Sequence, residues 1–251
     1  MNDNPPLRPS PVVLTEELFD RLRARILSDE FTKGQRLPPE RELAREYATN
    51  RNTLREAIRR LEQAGLVTVR QGQGVTVTDF RREGTLELLG AFLTHGKDVR
   101  EKAEVLLGLL EPRAEILEYL VEASAKRAND EDLDRIEESI EALEAAEKAK
   151  DEIAFVDAQH RWLNALVDST HNLAFRWVAN PFLESIRDMM WRAKGLILFE
   201  PSLAAMAYEV LDRARRGDAE GARAVTRDFH HTVDEKLRMI LEPAAKKESA
   251  T

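Results

Sequence analysis

The sequence predicts a mainly α protein in two parts, an N-terminal winged helix-turn-helix with a small β-hairpin wing and a C-terminal all-α bundle of six or seven helices. Three observations carry this expectation. Between Arg36 and Val77 the chain spells a short polar helix, a tight break, a second helix and two short alternating runs around a glycine turn. From about Glu83 onward strand signals vanish, and Ala, Leu, Glu, Arg and Lys dominate. The charge divides at the same place. Residues 1–82 hold 15 Lys and Arg against 12 Asp and Glu, a net +3, so the rest of a chain of net charge −8 carries −11. A mildly basic head on an acidic body suits a nucleic-acid reader joined to a module of another kind.

The first ten residues, rich in Pro and Asn, are expected to form a flexible tail. Pro38-Pro39 then opens a polar helix over Glu40–Tyr47, which breaks at Ala48-Thr49-Asn50. Asn50 is placed to cap the next helix, Arg51–Ala64, by accepting a bond from an amide of its first turn. Gly65 supplies the left-handed residue that ends it. A strand at Leu66–Val69, a turn at Gln71-Gly72-Gln73-Gly74 and a strand at Val75–Val77 complete the hairpin. Leu54, Ile58, Leu61 and Leu66 face inward with Leu43 and Ala44 against them, leaving Arg51, Asn52, Thr53, Arg55 and Arg59 on the opposite face. First-turn residues of a recognition helix reach base edges in the major groove, where arginine reads guanine with two hydrogen bonds.

Past the hairpin, Leu86, Leu89 and Leu93 suggest a connecting helix broken near Gly96. Helices follow at about Val99–Lys126, Asp130–Lys150, Glu152–Ser169, Asn172–Ala179, Pro181–Ile197, Pro201–Gly217 and Asp218–Leu241. Their expected stops are Asn129-Asp130, Asn180-Pro181, Glu200-Pro201 and Gly217-Asp218, with Asp130 and Asp218 as N-caps. The division is therefore 1–10 flexible tail, 11–80 winged helix-turn-helix DNA-binding domain, 81–96 linker helix and 97–245 α-helical domain. With no cysteine there is no disulfide framework, thiolate metal site or cysteine nucleophile. No 18-residue apolar run or signal segment is present, which implies a soluble, cytoplasmic protein without a membrane partner. No nucleophile motif, phosphate loop or cofactor fingerprint supports an enzyme. A helical interaction protein that ignores DNA would explain the body and leave the head unexplained.

Leu37-Pro38-Pro39-Glu40-Arg41-Glu42-Leu43, Asn50 through Ala57, Leu61 with Gly65-Leu66-Val67, and Gln71-Gly72 with Gly74 together resemble the DNA-binding signature of the GntR family of bacterial repressors. The resemblance assigns Arg41, Arg51 and Arg55 to base or phosphate contacts, with Asn50, Asn52, Thr53, Gln71 and Gly72 beside them. It implies a homodimer on a short palindromic double-stranded DNA operator. In the body, Leu110-Glu111-Pro112, Ser169-Thr170-His171-Asn172 and Arg216-Gly217-Asp218 with Ala222 and Arg223 resemble the effector-binding domain of the FadR branch of that family.

Many members of that branch hold a divalent metal through an Asp and three His, and the ion helps bind a small carboxylate. Aligned on Asn172 and on Gly217-Asp218, those positions fall on Gln159, Leu163, near Ala207 and on Phe229. Apolar side chains there cannot ligate, so no cofactor is expected. The alternative is one Zn, Ni or Mn ion held in a shifted register by Asp157, His160, His230 and His231. The fatty-acid-responsive member of the branch also lacks the metal set. By that resemblance Trp162, Leu163, Leu166, Met190, Trp191, Phe229 and Val233 would line a pocket for a small-molecule effector of acyl type, with Phe182, Ile186, Met189 and Phe199 near them. Arg187, Arg192 and Lys194 would supply cations for a charged head group. Each of these side chains also has an ordinary reading, as packed core or as a solvated arginine.

Overall fold

The computed structural model describes residues 11–72, 74–192, 199 and 202–246. The expected tail at 1–10, Gln73, Lys194 and the Glu200-Pro201 break lie outside the described residues. The chain forms two compact units, residues 1–97 and 98–251.

In the first unit α1 (Pro11–Leu27) precedes α2 (Glu40–Glu46) and α3 (Arg51–Gln63). The strands β1 (Val67–Arg70) and β2 (Gly74–Val77) then pair antiparallel, with Val67 opposite Val77 and Val69 opposite Val75. One valine face turns inward: Val67, Val75 and Val77 are buried while Val69 is exposed. The core is the one the apolar spacing implies, with Leu43, Leu54, Ile58, Leu61 and Leu66 packed against Leu18, Leu22 and Ile26 of α1. Sequence periodicity did not show a third line of pairing. The amide of Leu37 donates to Val75 O and that of Val77 to Gln35 O, both at 2.9 Å, so residues 34–37 cover the free edge of β2. An edge strand closed in this way has fewer unpaired groups to offer another chain.

The segment expected as a linker departs from that expectation. It forms α4 (Phe80–Glu83), a 3₁₀ turn (Leu86–Leu88) and α5 (Leu89–His95). Leu88, Ala91 and Phe92 lie in the same hydrophobic core as α1 and α3, and the Phe80 and Phe92 rings meet at 6.0 Å. Residues 81–96 are thus part of the first unit. The 3₁₀ turn shifts the buried face from Leu86 to Leu88, which an uninterrupted helical period misplaces.

The second unit holds six helices among the described residues: α6 (Val99–Arg127), α7 (Asp130–Ala149), α8 (Glu152–Ser169), α9 (Leu173–Arg192), α10 (Leu203–Arg215) and α11 (Ala219–Ala245). Helix α11 packs on α6, α7 on α8, α8 on α9, and α10 against α7 and α11. Two expectations are corrected. The cap of α7 is Asn129, not Asp130: Asn129 Oδ1 accepts from the Asp132 amide at 2.9 Å while Asp132 returns the bond at 3.0 Å, a closed capping box. The stop at Asn180-Pro181 does not occur either, because α9 runs through Pro181. Trp177, Val178, Asn180 and Pro181 are all exposed, so the carbonyl that loses its helical donor lies on the solvent side, where water can serve it.

Candidate nucleic-acid interface and helical ligand module

The recognition face is built by one short turn. Ala48 takes a left-handed φ of 49°, and Asn50 then caps α3 by accepting from the Thr53 amide at 2.9 Å. This fixes the first turn of α3 and turns Arg51, Asn52 and Arg55 outward, where all three are exposed. Arg51 and Arg55 are four residues apart and so share one face with Arg59. Thr53 departs from the expected placement. Its side chain is only 6% exposed, on the Leu54–Ala57 side of the helix, and what it contributes is the backbone amide that closes the cap. Arg41 on α2 is exposed, and neither it nor Arg51 has an ion-pair partner among the described residues. Gln71 and Gly72 stand exposed at the wing tip, where Gly72 adopts φ 76°, a conformation that favours glycine.

Two carboxylates that motif reading did not single out hold this surface in register. Glu62 of α3 accepts the Val69 amide at 2.9 Å, tying the wing to the recognition helix. Glu40, at the first turn of α2, accepts from Arg55 Nε at 2.9 Å. In the sequence Glu40 stood inside the Leu37–Leu43 run with no role assigned to it, and Glu62 stood outside the quoted motif positions. Pairing across 7 and 15 residues needed the fold.

In the second unit the expected effector residues divide. Trp162, Leu163 and Leu166 are buried on α8, and Arg187 and Met190 sit half-buried on α9, which packs against it. Arg187 is engaged by Asp157 at 2.9 Å. Trp191 faces outward at 42% exposure, because it falls one position past the buried α9 stripe of Phe182, Leu183 and Ile186. Phe229 and Val233 lie half-buried on α11, with the Phe229 ring edge-on to His230 at 5.4 Å. Phe199 packs edge-on against Phe155 at 5.3 Å.

Each of the alternative metal donors has a neighbour within the protein. Asp157 is held by Arg187, His160 Nε2 lies 3.3 Å from Glu184, and His231 is exposed beside Glu235. His230 is buried near Arg113 of α6, itself bonded to Asp234. These donors point to different neighbours, and no group of three or more His, Cys, Asp or Glu able to hold a metal exists among the described residues. Burial pushes the His160 imidazole below its usual value. Burial, with the Arg113 charge adding to it, pushes His230 down to about 3. Gln159 Oε1, Trp162 Nε1 and Arg113 Nε are buried without a hydrogen-bond partner among the described residues.

No helix is long and apolar enough to cross a membrane among the described residues. Residues 14–77 match the family described as bacterial regulatory proteins, gntR family, and residues 108–231 match the FCD domain. The transcriptional regulator Mce2R of Mycobacterium tuberculosis is 29% identical over 239 residues, covering 90% of this chain and 92% of its own. A second HTH-type regulator of that organism, Rv0494, is 33% identical over 176 residues, covering 66% of this chain and 67% of its own. In fold alone, the chain resembles the solved structure of Lar, which controls the expression of the Listeria monocytogenes agr system. That likeness has a TM-score of 0.55 at 19% identity, over 95% of this chain and 100% of Lar. With a winged-helix head, a helical FCD body and relatives that are regulators rather than enzymes, the chain belongs to the GntR family of DNA-binding transcription regulators.

Proposed function

We propose that this protein is an effector-responsive regulator that binds a short palindromic operator as a homodimer. The observation that supports the reading is the exposed α3 face, where Arg51, Asn52 and Arg55 stand together beside the wing tip at Gln71 and Gly72. A two-fold dimer presents two such faces to two half-sites. Arg51 and Arg55 read base edges, Arg41 and the wing hold phosphates, and Asn50 sets the angle of the reading helix. The helical body binds the effector without a metal. An acyl compound with a polar head group suits the site, because Trp162, Leu163 and Leu166 are apolar in bulk. Gln159 Oε1 and Trp162 Nε1 beside them are buried polar atoms that lack partners among the described residues. A ligand group that satisfied such atoms would remove a cost of about 1–3 kcal/mol each.

The experiment begins with selection of an operator from random duplexes by the full chain. Replacing Arg51 or Arg55 by Ala is expected to weaken operator binding by roughly 1–3 kcal/mol and to relax preference at one base pair per half-site. Unchanged affinity and preference in both variants would sink the reading. Purified protein is expected to be free of stoichiometric metal and to release the operator or tighten on it with acyl-CoA thioesters or fatty acids. A bound divalent ion would overturn the metal-free site.

A further inference from the structure

We propose that Glu40 is a specificity-determining positioning residue: it holds Arg55 by one nitrogen so that the rest of its guanidinium is aimed at a base edge. The inference rests on the reading of α3 as the base-reading helix. A guanidinium has five N–H donors in a fixed plane, and two-point recognition of guanine needs only two of them, side by side. The bond recorded here is from Nε, the inner nitrogen, to Glu40 Oε2 at 2.9 Å. It leaves both terminal nitrogens uncommitted to Glu40. The Arg55 side chain is still 66% exposed, so the paired arginine remains open to a groove.

The carboxylate is well placed for this task. Glu40 is the first residue of α2, whose Leu43 packs into the same core as Leu54 of α3. Its position relative to α3 is therefore set by packing, and Arg55 is tethered to a rigid neighbour rather than to its own helix. Arg59, one turn further on, bonds among the described residues within its own helix, to Glu56 at 3.3 Å. Arg51, one turn earlier, has no ion-pair partner among the described residues. Among the described residues, Arg55 is the one of three arginines on this stripe that is fixed from another helix.

Two consequences for DNA follow from elementary electrostatics. An arginine already held in one rotamer loses less freedom when it meets a base. A carboxylate beside it disfavours a slide onto phosphate, since phosphates carry the same sign. Glu40 thus lowers affinity for non-specific duplex while raising affinity for the right base pair.

The test is a double-mutant cycle on the full chain, read as anisotropy titrations on the selected operator and on every single-base variant of one half-site. The proteins are wild type, Glu40→Ala, Glu40→Gln, Arg55→Ala and the Glu40→Ala/Arg55→Ala double. Glu40→Ala is expected to lose about tenfold in operator affinity, within the range of one two-point base contact. Its discrimination should flatten at the same base pair that Arg55→Ala flattens and nowhere else. Glu40→Gln, whose amide oxygen accepts a weaker uncharged bond, should fall between. In the Arg55→Ala background the Glu40 change should add almost nothing. The proposal is overturned if Glu40→Ala weakens all base variants equally, tightens operator binding, or costs as much with Arg55 absent as with it present. Should Glu40→Ala melt below wild type, the cycle with Glu40→Gln decides by the same criterion. If Arg55→Ala itself binds as wild type does, the base-reading role of Arg55 has failed, which is a separate result from a failed cycle.

Discussion

His230 shows how far one buried side chain can tune a whole helical unit. It sits on α11 against the Arg113 guanidinium of α6, with Asp234 one turn on, and burial holds its pKa at about 3 in place of 6.5. The unfolded chain takes up a proton as pH falls through 6.5, and the folded chain refuses it until about 3. Stability supplied by the neutral imidazole is therefore complete above 6.5 and drains away between those values. Asp234, whose carboxyl is raised by its own burial, works in the opposite sense from 3.8 upward. In urea melts between pH 7 and pH 4.5, the wild-type midpoint should fall, and His230→Gln should fall clearly less. Equal falls would show that the proton goes elsewhere. At this scale sequence reading was uneven. Asn50, Arg51 and Arg55 could be placed because capping and helical phase act within four residues. Thr53 was placed on the wrong face, since its side chain belongs with Leu54 and Ala57 on the buried side of α3.

At the scale of elements, local signals found most helices and missed the contacts that orient them. The head core was legible from Leu43, Leu54, Ile58 and Leu61, which repeat with helical period. The fate of α5 was not, because a short apolar helix gives no hint of the surface it will cover. Leu88, Ala91 and Phe92 join the head core, and burying a leucine or phenylalanine side chain contributes about 1.5–3 kcal/mol each. A fragment of residues 1–97 should therefore melt cooperatively, whereas one of residues 1–80 should be less stable by about 3 kcal/mol or more. Equal melting by circular dichroism would mean that α5 is a passenger. The start of α10 makes the same point about distance. Glu147 of α7 accepts from Ser202 Oγ at 2.6 Å and from the amides of Leu203 and Ala204 at 2.8 and 3.1 Å. It caps a helix 55 residues away, beyond the reach of any local motif. Likewise α9 continues through Pro181 because its outer face can leave a carbonyl to water, a fact about burial and not about proline.

For the whole molecule, charge separation is the property that sequence alone describes best. Residues 1–97 carry a net +2 and the remainder −10. The body should repel duplex and confine contact to the head. At about 50 mM salt the 1–97 fragment should bind random-sequence duplex more tightly than the full chain does, and the gap should narrow toward about 200 mM as screening sets in. A gap that ignores salt would mean that the body acts by bulk and not by field.

The burial of Leu88 and Phe92 in the head also bears on exchange of modules between regulators. A recombination event, natural or designed, that splices the reader to a foreign sensor just after the hairpin would carry over the DNA-reading surface yet strip one wall from its hydrophobic interior. Crossovers that preserve a working reader should cluster near Gly96, so that Phe80–His95, whose Leu88 and Phe92 complete its interior, travel with the reader.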